Sequence, residues 1–161
     1  MYRVLVVDDE KIEREGIKFL LSREEGEFEI SEASNGRQAL EILRNEEIDI
    51  LLTDIKMPHM DGLELAKKAK EKKEELQIVI FSGYNDFSFA QEAIRYGVKE
   101  YVLKPVDPDI FSNHWKRYAV KLTKIKTARS EIRRNRIFSS SIFSRIIFTQ
   151  EKKKFWKKPE K

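Results

Sequence analysis

Ile48-Asp49-Ile50-Leu51-Leu52-Thr53-Asp54 sets the frame for the first two thirds of the chain. Ile50, Leu51 and Leu52 form an unbroken apolar run, the pattern of a parallel strand covered on both faces. The run stops at a carboxylate, Asp54. Met57-Pro58 and Asp61-Gly62 follow at once and read as a loop that cannot extend the strand. Ligands of open α/β sheets bind beyond the carboxyl ends of the strands. An acid there is a site candidate; taken alone, an Asp reads first as a turn or capping residue, but Asp54 is not alone.

Working outward, strand and helix patterns alternate five times. Val4 to Val7 is a short buried strand ending at Asp8-Asp9-Glu10, and Ile12, Gly16, Phe19 and Leu20 then recur at helical spacing. Phe28 to Ala33 alternates as a strand, Asn35-Gly36 reads as a turn, and Ala39, Leu40, Ile42 and Leu43 stripe a second helix. After Asp54, Leu63 to Ala69 begins a third helix. Gln77 to Phe81 is a fourth strand ending at Ser82-Gly83. Phe87, Ala90, Ala93 and Ile94 stripe a fourth helix, which Gly97 closes. Glu100 to Leu103 is a fifth strand ending at Lys104-Pro105. This order predicts an α/β fold, a doubly wound five-stranded parallel sheet with right-handed crossovers.

Four strands thus deliver Asp8 and Asp9, Asp54, Ser82 and Lys104 to one edge. Clustered carboxylates repel unless a cation lies among them. They are hard oxygen ligands suited to Mg²⁺, which keeps several waters and takes one or two protein carboxylates. Such a metal is a Lewis acid toward a phosphoryl group, and a carboxylate can be the nucleophile that accepts it. A serine hydroxyl and a lysine ammonium suit phosphoryl oxygens.

These residues, with Asp54-Ile55-Lys56-Met57-Pro58-His59-Met60-Asp61-Gly62, Ser82-Gly83 and Lys104-Pro105, resemble the receiver domain of two-component response regulators. The resemblance covers residues 2–109, with 110–127 as the last receiver helix. It implies a flavodoxin-like receiver and phosphoryl transfer from a sensor histidine kinase to Asp54. It further implies that Asp9 and Asp54 ligate Mg²⁺, with Asp8 close by and the main-chain carbonyl of Lys56 as a third protein ligand. Ser82 and Lys104 would bind phosphoryl oxygens, across a cis Lys104-Pro105 peptide. Ser82, Tyr101 and Pro105 would form the switch: Ser82 moves toward the phosphate and Tyr101 swings inward, reshaping a surface through which receivers could pair as homodimers. Read without the family, Tyr101 is a half-buried strand aromatic. Phe81 to Phe87 is most similar to receivers attached to AraC-type DNA-binding domains, which implies transcription regulation. His59 and His114 read as solvent-facing.

The formal charge of +4 hides a division. Residues 1–109 hold 16 Lys and Arg against 25 Asp and Glu; the remaining 52 residues hold 16 against 3 and no glycine. A basic C-terminal extension, 128–161, is therefore expected. Before it, residues 110–127 carry a helical stripe, Phe111, Trp115, Tyr118, Leu122 and Ile125. Beyond come Arg133-Arg134-Asn135-Arg136, the apolar and serine-rich Ile137 to Phe148, and Lys152 to Lys158. No helix-turn-helix turn is legible, which makes sequence-specific DNA binding doubtful. The tail could bind nucleic acid phosphates, lie on an anionic membrane, or be a solvated extension.

Other classes fit less well. An aspartyl phosphatase needs a second acid two residues past its nucleophile, where Lys56 stands. A dinucleotide fold needs a glycine-rich loop after the first strand. With no cysteine, no disulfide or thiolate site is available, and a reducing cytoplasm is expected. The N-terminus meets charge too early for a signal peptide, and no apolar run could span a membrane. The charge discontinuity also motivates the hypothesis that the chain runs out of frame after about Asp109. Translating the other two downstream frames tests it: finding no helix-turn-helix sequence in either counts against it.

Overall fold

The fold is seen in a computed structural model that describes residues 1–83 and 87–113, then scattered helical positions: 115, 116, 118–120, 122–124, 127, 128 and 131. The elements are β1 Tyr2–Val7, α1 Lys11–Ser22, β2 Phe28–Ala33, α2 Gly36–Asn45, β3 Ile50–Asp54, α3 Gly62–Lys72, β4 Gln77–Ser82, α4 Phe87–Arg95 and β5 Glu100–Leu103. The chain divides into two compact units, 1–115 and 116–161. His114, Ile125 and the tail runs from Arg133 onward lie outside the described residues. In the second unit the described residues are helical, with Thr123 and Thr127 hydroxyls donating to carbonyls four residues back.

All strand pairs are parallel, in the order β2-β1-β3-β4-β5. This is the doubly wound arrangement that the alternation predicts, its switch point between β1 and β3. Every residue of β3 and β4 is buried, as expected for central strands covered twice. Successive side chains point to opposite faces. Leu5, Val7, Leu51 and Ile78 pack with Ala39, Leu40, Leu43, Leu65 and Ala66 of α2 and α3. The opposite face includes Phe81, in a chain of ring contacts through Phe111 and Trp115 to Phe28 and Tyr2. Each fully buried aliphatic side chain contributes about 1.5–3 kcal/mol.

Register places the site. Val7 pairs with Thr53, Asp54 with Phe81, and Ser82 with Leu103. Asp8, Asp54, Ser82 and Lys104 therefore leave four adjacent strands at nearly the same level. The Lys104-Pro105 peptide is cis, as the resemblance implied.

Three local readings need correction. Asn35-Gly36 is a helix start rather than a free turn: the Asn35 side chain caps α2 by accepting from Gln38 N, and the Gln38 side chain accepts from Ser34 N. On α1, Leu20 faces the core as expected, but Ile12 and Phe19 are 73% and 60% exposed, and Ile17 and Leu21 take the inner face instead. The helix is rotated because Arg14 turns inward, donating to the Asp8 carbonyl and Glu32. On α4, Phe87 and Ile94 are exposed; Ala93, with half-buried Phe89 and Tyr96, packs inward. Gly97 does close α4, at φ 73°. Among the described residues no helix is long and apolar enough to cross a membrane.

Two glycines should respond oppositely to alanine. A Cβ at Gly62 would collide with the carbonyl oxygen of Asp54, whereas one at Gly16 meets nothing within 4 Å. Gly62→Ala should cost about 1–3 kcal/mol, and Gly16→Ala should gain about 0.5–1 kcal/mol, both read by urea unfolding.

Candidate functional site

The site is built around a lysine. Lys104 Nζ lies 2.8 Å from Asp8 Oδ2 and 3.1 Å from Asp54 Oδ1. β5 carries it there, held by the Lys104 N–H donating to the Ser82 carbonyl at 2.8 Å. Asp8 is buried, and its second oxygen accepts from Glu10 N at 2.9 Å. That turn and the Arg14 guanidinium at the Asp8 carbonyl fix the end of β1.

Burial raises the Asp54 pKa above the ordinary carboxylate value. The Lys104 charge and hydrogen bond oppose this, the Asp8 charge adds to it, and a hydrogen bond from the Lys56 backbone lowers it again. Burial would lower the Lys104 pKa, but hydrogen bonding to Asp8 and the charge of Asp54 outweigh it and hold the ammonium well above the usual lysine range. Lys104 therefore stays charged at neutral pH.

The sequence-derived candidates do not all converge alike. Asp8, Asp54 and Lys104 touch, and the Lys56 peptide contacts the Asp54 carboxylate through its N–H. Ser82 is fully buried at the end of β4, one residue past the partner of Asp54. Asp9 follows Asp8 and is exposed. Tyr101 is half-buried against the Ile55, Leu63, Ile80 and Ala93 cluster. Pro105 and His59 are exposed. Glu13 is the residue that sequence reasoning missed: its Oε2 lies 3.3 Å from Lys104 Nζ. Placing Arg14, Ile17 and Leu21 on the inner face of α1 would have found it.

Asp8, Asp54 and Glu13 carry three negative charges against one ammonium. That imbalance fits a divalent cation. Among the described residues no three His, Cys, Asp or Glu side chains form a ready-made metal cage. The donor set instead suits Mg²⁺, which combines one or two carboxylates with water and phosphoryl oxygen.

A doubly wound sheet with acids at the ends of β1 and β3 sharing a lysine at the end of β5 defines an open α/β domain with its polar site at the strand ends. Comparison with known proteins gives the family. The pattern of the response regulator receiver domain matches residues 4–115. The chain is 42% identical over 106 residues to the uncharacterized transcriptional regulatory protein YesN of Bacillus subtilis, covering 65% of this chain and 29% of YesN. It is 34% identical over 119 residues to sporulation initiation phosphotransferase F of the same organism, covering 72% of this chain and 92% of that protein. The solved REC domain of AraT, a response regulator from Geobacillus stearothermophilus, superposes with a TM-score of 0.65 at 39% identity, covering 80% of this chain and 98% of that one. The chain belongs to the response regulator receiver domain family. It spans less than half the length of YesN and of several other regulatory proteins it matches.

Because folding raises the Asp54 pKa, the native state binds a proton there more readily than the unfolded chain. Stability on this account falls as pH rises from the ordinary carboxylate value through the raised native one. Asp54→Asn should therefore raise the melting temperature at pH 7, and the gain should vanish below the usual aspartate pKa. Thermal unfolding across pH reads both.

Proposed function

We propose that this chain is a phosphoacceptor switch whose Asp54 takes a phosphoryl group from a sensor histidine kinase. The observation that carries the reading is the shared ammonium: Lys104 bridges the Asp54 carboxylate and the buried Asp8. In the transfer an Asp54 carboxylate oxygen attacks phosphorus. The new O–P bond forms as the donor's N–P bond breaks, and the imidazole nitrogen leaves with the electron pair. Lys104 and Ser82 bind the phosphoryl oxygens and hold them as negative charge redistributes. Asp8, Asp9, Asp54 and the Lys56 main-chain carbonyl would hold Mg²⁺, which when bound supplies a Lewis acid to those oxygens.

Phosphorylation then places new charge beside Ser82. Ser82 and Tyr101, with Pro105 at the strand end, would move together and reshape the surface of α4 and β5. Exposed Phe87, Ile94 and Leu103 on those elements suit a receiver homodimer. The transcriptional names of the relatives support a role in transcription regulation, with DNA contact made by another module. A kinase donor and a cysteine-free chain support a cytoplasmic location. The exposed Lys56 in place of an acid disfavours an aspartyl phosphatase that turns over many substrates. Nucleic-acid binding by the basic tail concerns residues outside those described.

Incubation with Mg²⁺ and a small phosphodonor should add one phosphate, stable to acid gel conditions and labile to base. Asp54→Asn should abolish it in mass spectrometry of the intact chain. Undiminished labelling of that variant would reject the assignment.

A further inference from the structure

Three carboxylates share Lys104, and the mechanism above uses only two. The third, Glu13, comes from the first turn of α1, beside the Arg14 that anchors Asp8. The side chains of Asp8, Asp54 and Glu13 are 2%, 12% and 42% exposed. Glu13 is thus the outermost, on the solvent side from which a phosphodonor arrives. That donor is anionic and needs the same ammonium.

We propose that Glu13 restrains phosphoryl transfer to Asp54 from small anionic donors, by competing for the Lys104 ammonium and adding negative charge at the entrance. The inference rests on the reading of Asp54 as phosphoacceptor. An ammonium has three N–H donors; Asp8 and Asp54 hold it by hydrogen bonds, and Glu13 by its charge at 3.3 Å. An incoming phosphoryl oxygen must compete with one of these carboxylates. Asp8 is buried and pinned by Glu10 N, and Asp54 is the reacting group. Glu13 is the partner that must yield. A protein donor that presents a cationic side chain to α1 can engage Glu13 and release Lys104; a small anion cannot. Glu13 is therefore a specificity-determining residue that acts through Lys104.

Acetyl phosphate with Mg²⁺ is the test. The Asp54 oxygen bonds to phosphorus while the bond from phosphorus to the acetyl oxygen breaks, and acetate leaves with the electron pair. Glu13→Gln should raise the second-order rate about three- to fivefold at low ionic strength, as expected for one nearby charge in a largely aqueous setting. The gain should appear mainly as a lower half-saturating donor concentration and shrink as salt screens it. Glu13→Ala, lacking the competing oxygen, should gain at least as much. Glu15→Gln removes the same charge from the Lys18 side of α1 and should change nothing. A rate in both Glu13 variants equal to or below wild type overturns the inference, as does an equal gain in Glu15→Gln. Failure of the wild type to take phosphate at all would instead overturn the phosphoacceptor reading, and this inference with it.

Discussion

One ammonium among several carboxylates is the constraint on which the rest of the site depends. Lys104 reaches Asp8, Asp54 and Glu13 within 3.3 Å. Burial disfavours the charged form of Asp54, and the charge and hydrogen bond of Lys104 oppose that effect. The lysine does not cancel the charge. The residue left over is the driving force for a divalent cation, and a phosphoryl group would bring its own negative charge to the same place. The parallel sheet provides the geometry: pairing of Val7 with Thr53 and of Ser82 with Leu103 sets four strand ends level.

Most of this was legible because buried parallel strands have a plain signature. The apolar run of β3 reads directly, and Asp54 at its end is placed by the strand rule alone. Gly97 was recognisable as a helix stop because left-handed backbone favours glycine. The cis Lys104-Pro105 bond came from the family resemblance and not from composition. What escaped was helix phase. α1 offers Ile12 and Phe19 as apolar candidates, yet Arg14 competes for the inner face through hydrogen bonds that apolar periodicity does not score. Glu13 was hidden by the same error. On α4, Phe87 and Ile94 look like core and lie exposed, because the helix packs through Ala93 and half-buried Phe89 instead.

On the proposed function, those exposed residues connect the fold to its use. Receiver domains act by changing a surface, and a surface that is to bind in one state must tolerate exposure in the other. The short α4 and edge strand β5, packed less deeply than β3 and β4, are the elements whose arrangement a local charge can shift at low cost. Tyr101 sits between the strand-end site and that surface, half-buried against Ile80 and Ala93. The match to YesN covers 29% of that protein.

The central claim is that uncompensated charge at the strand ends calls for a divalent cation. Melting temperature measured against Mg²⁺ at constant ionic strength tests it most directly. The account predicts a rise over the millimolar range that saturates like a binding curve and is lost in a double Asp9→Asn, Asp54→Asn variant. A flat melting temperature in the wild-type protein, or an equal rise in the double variant, would contradict it.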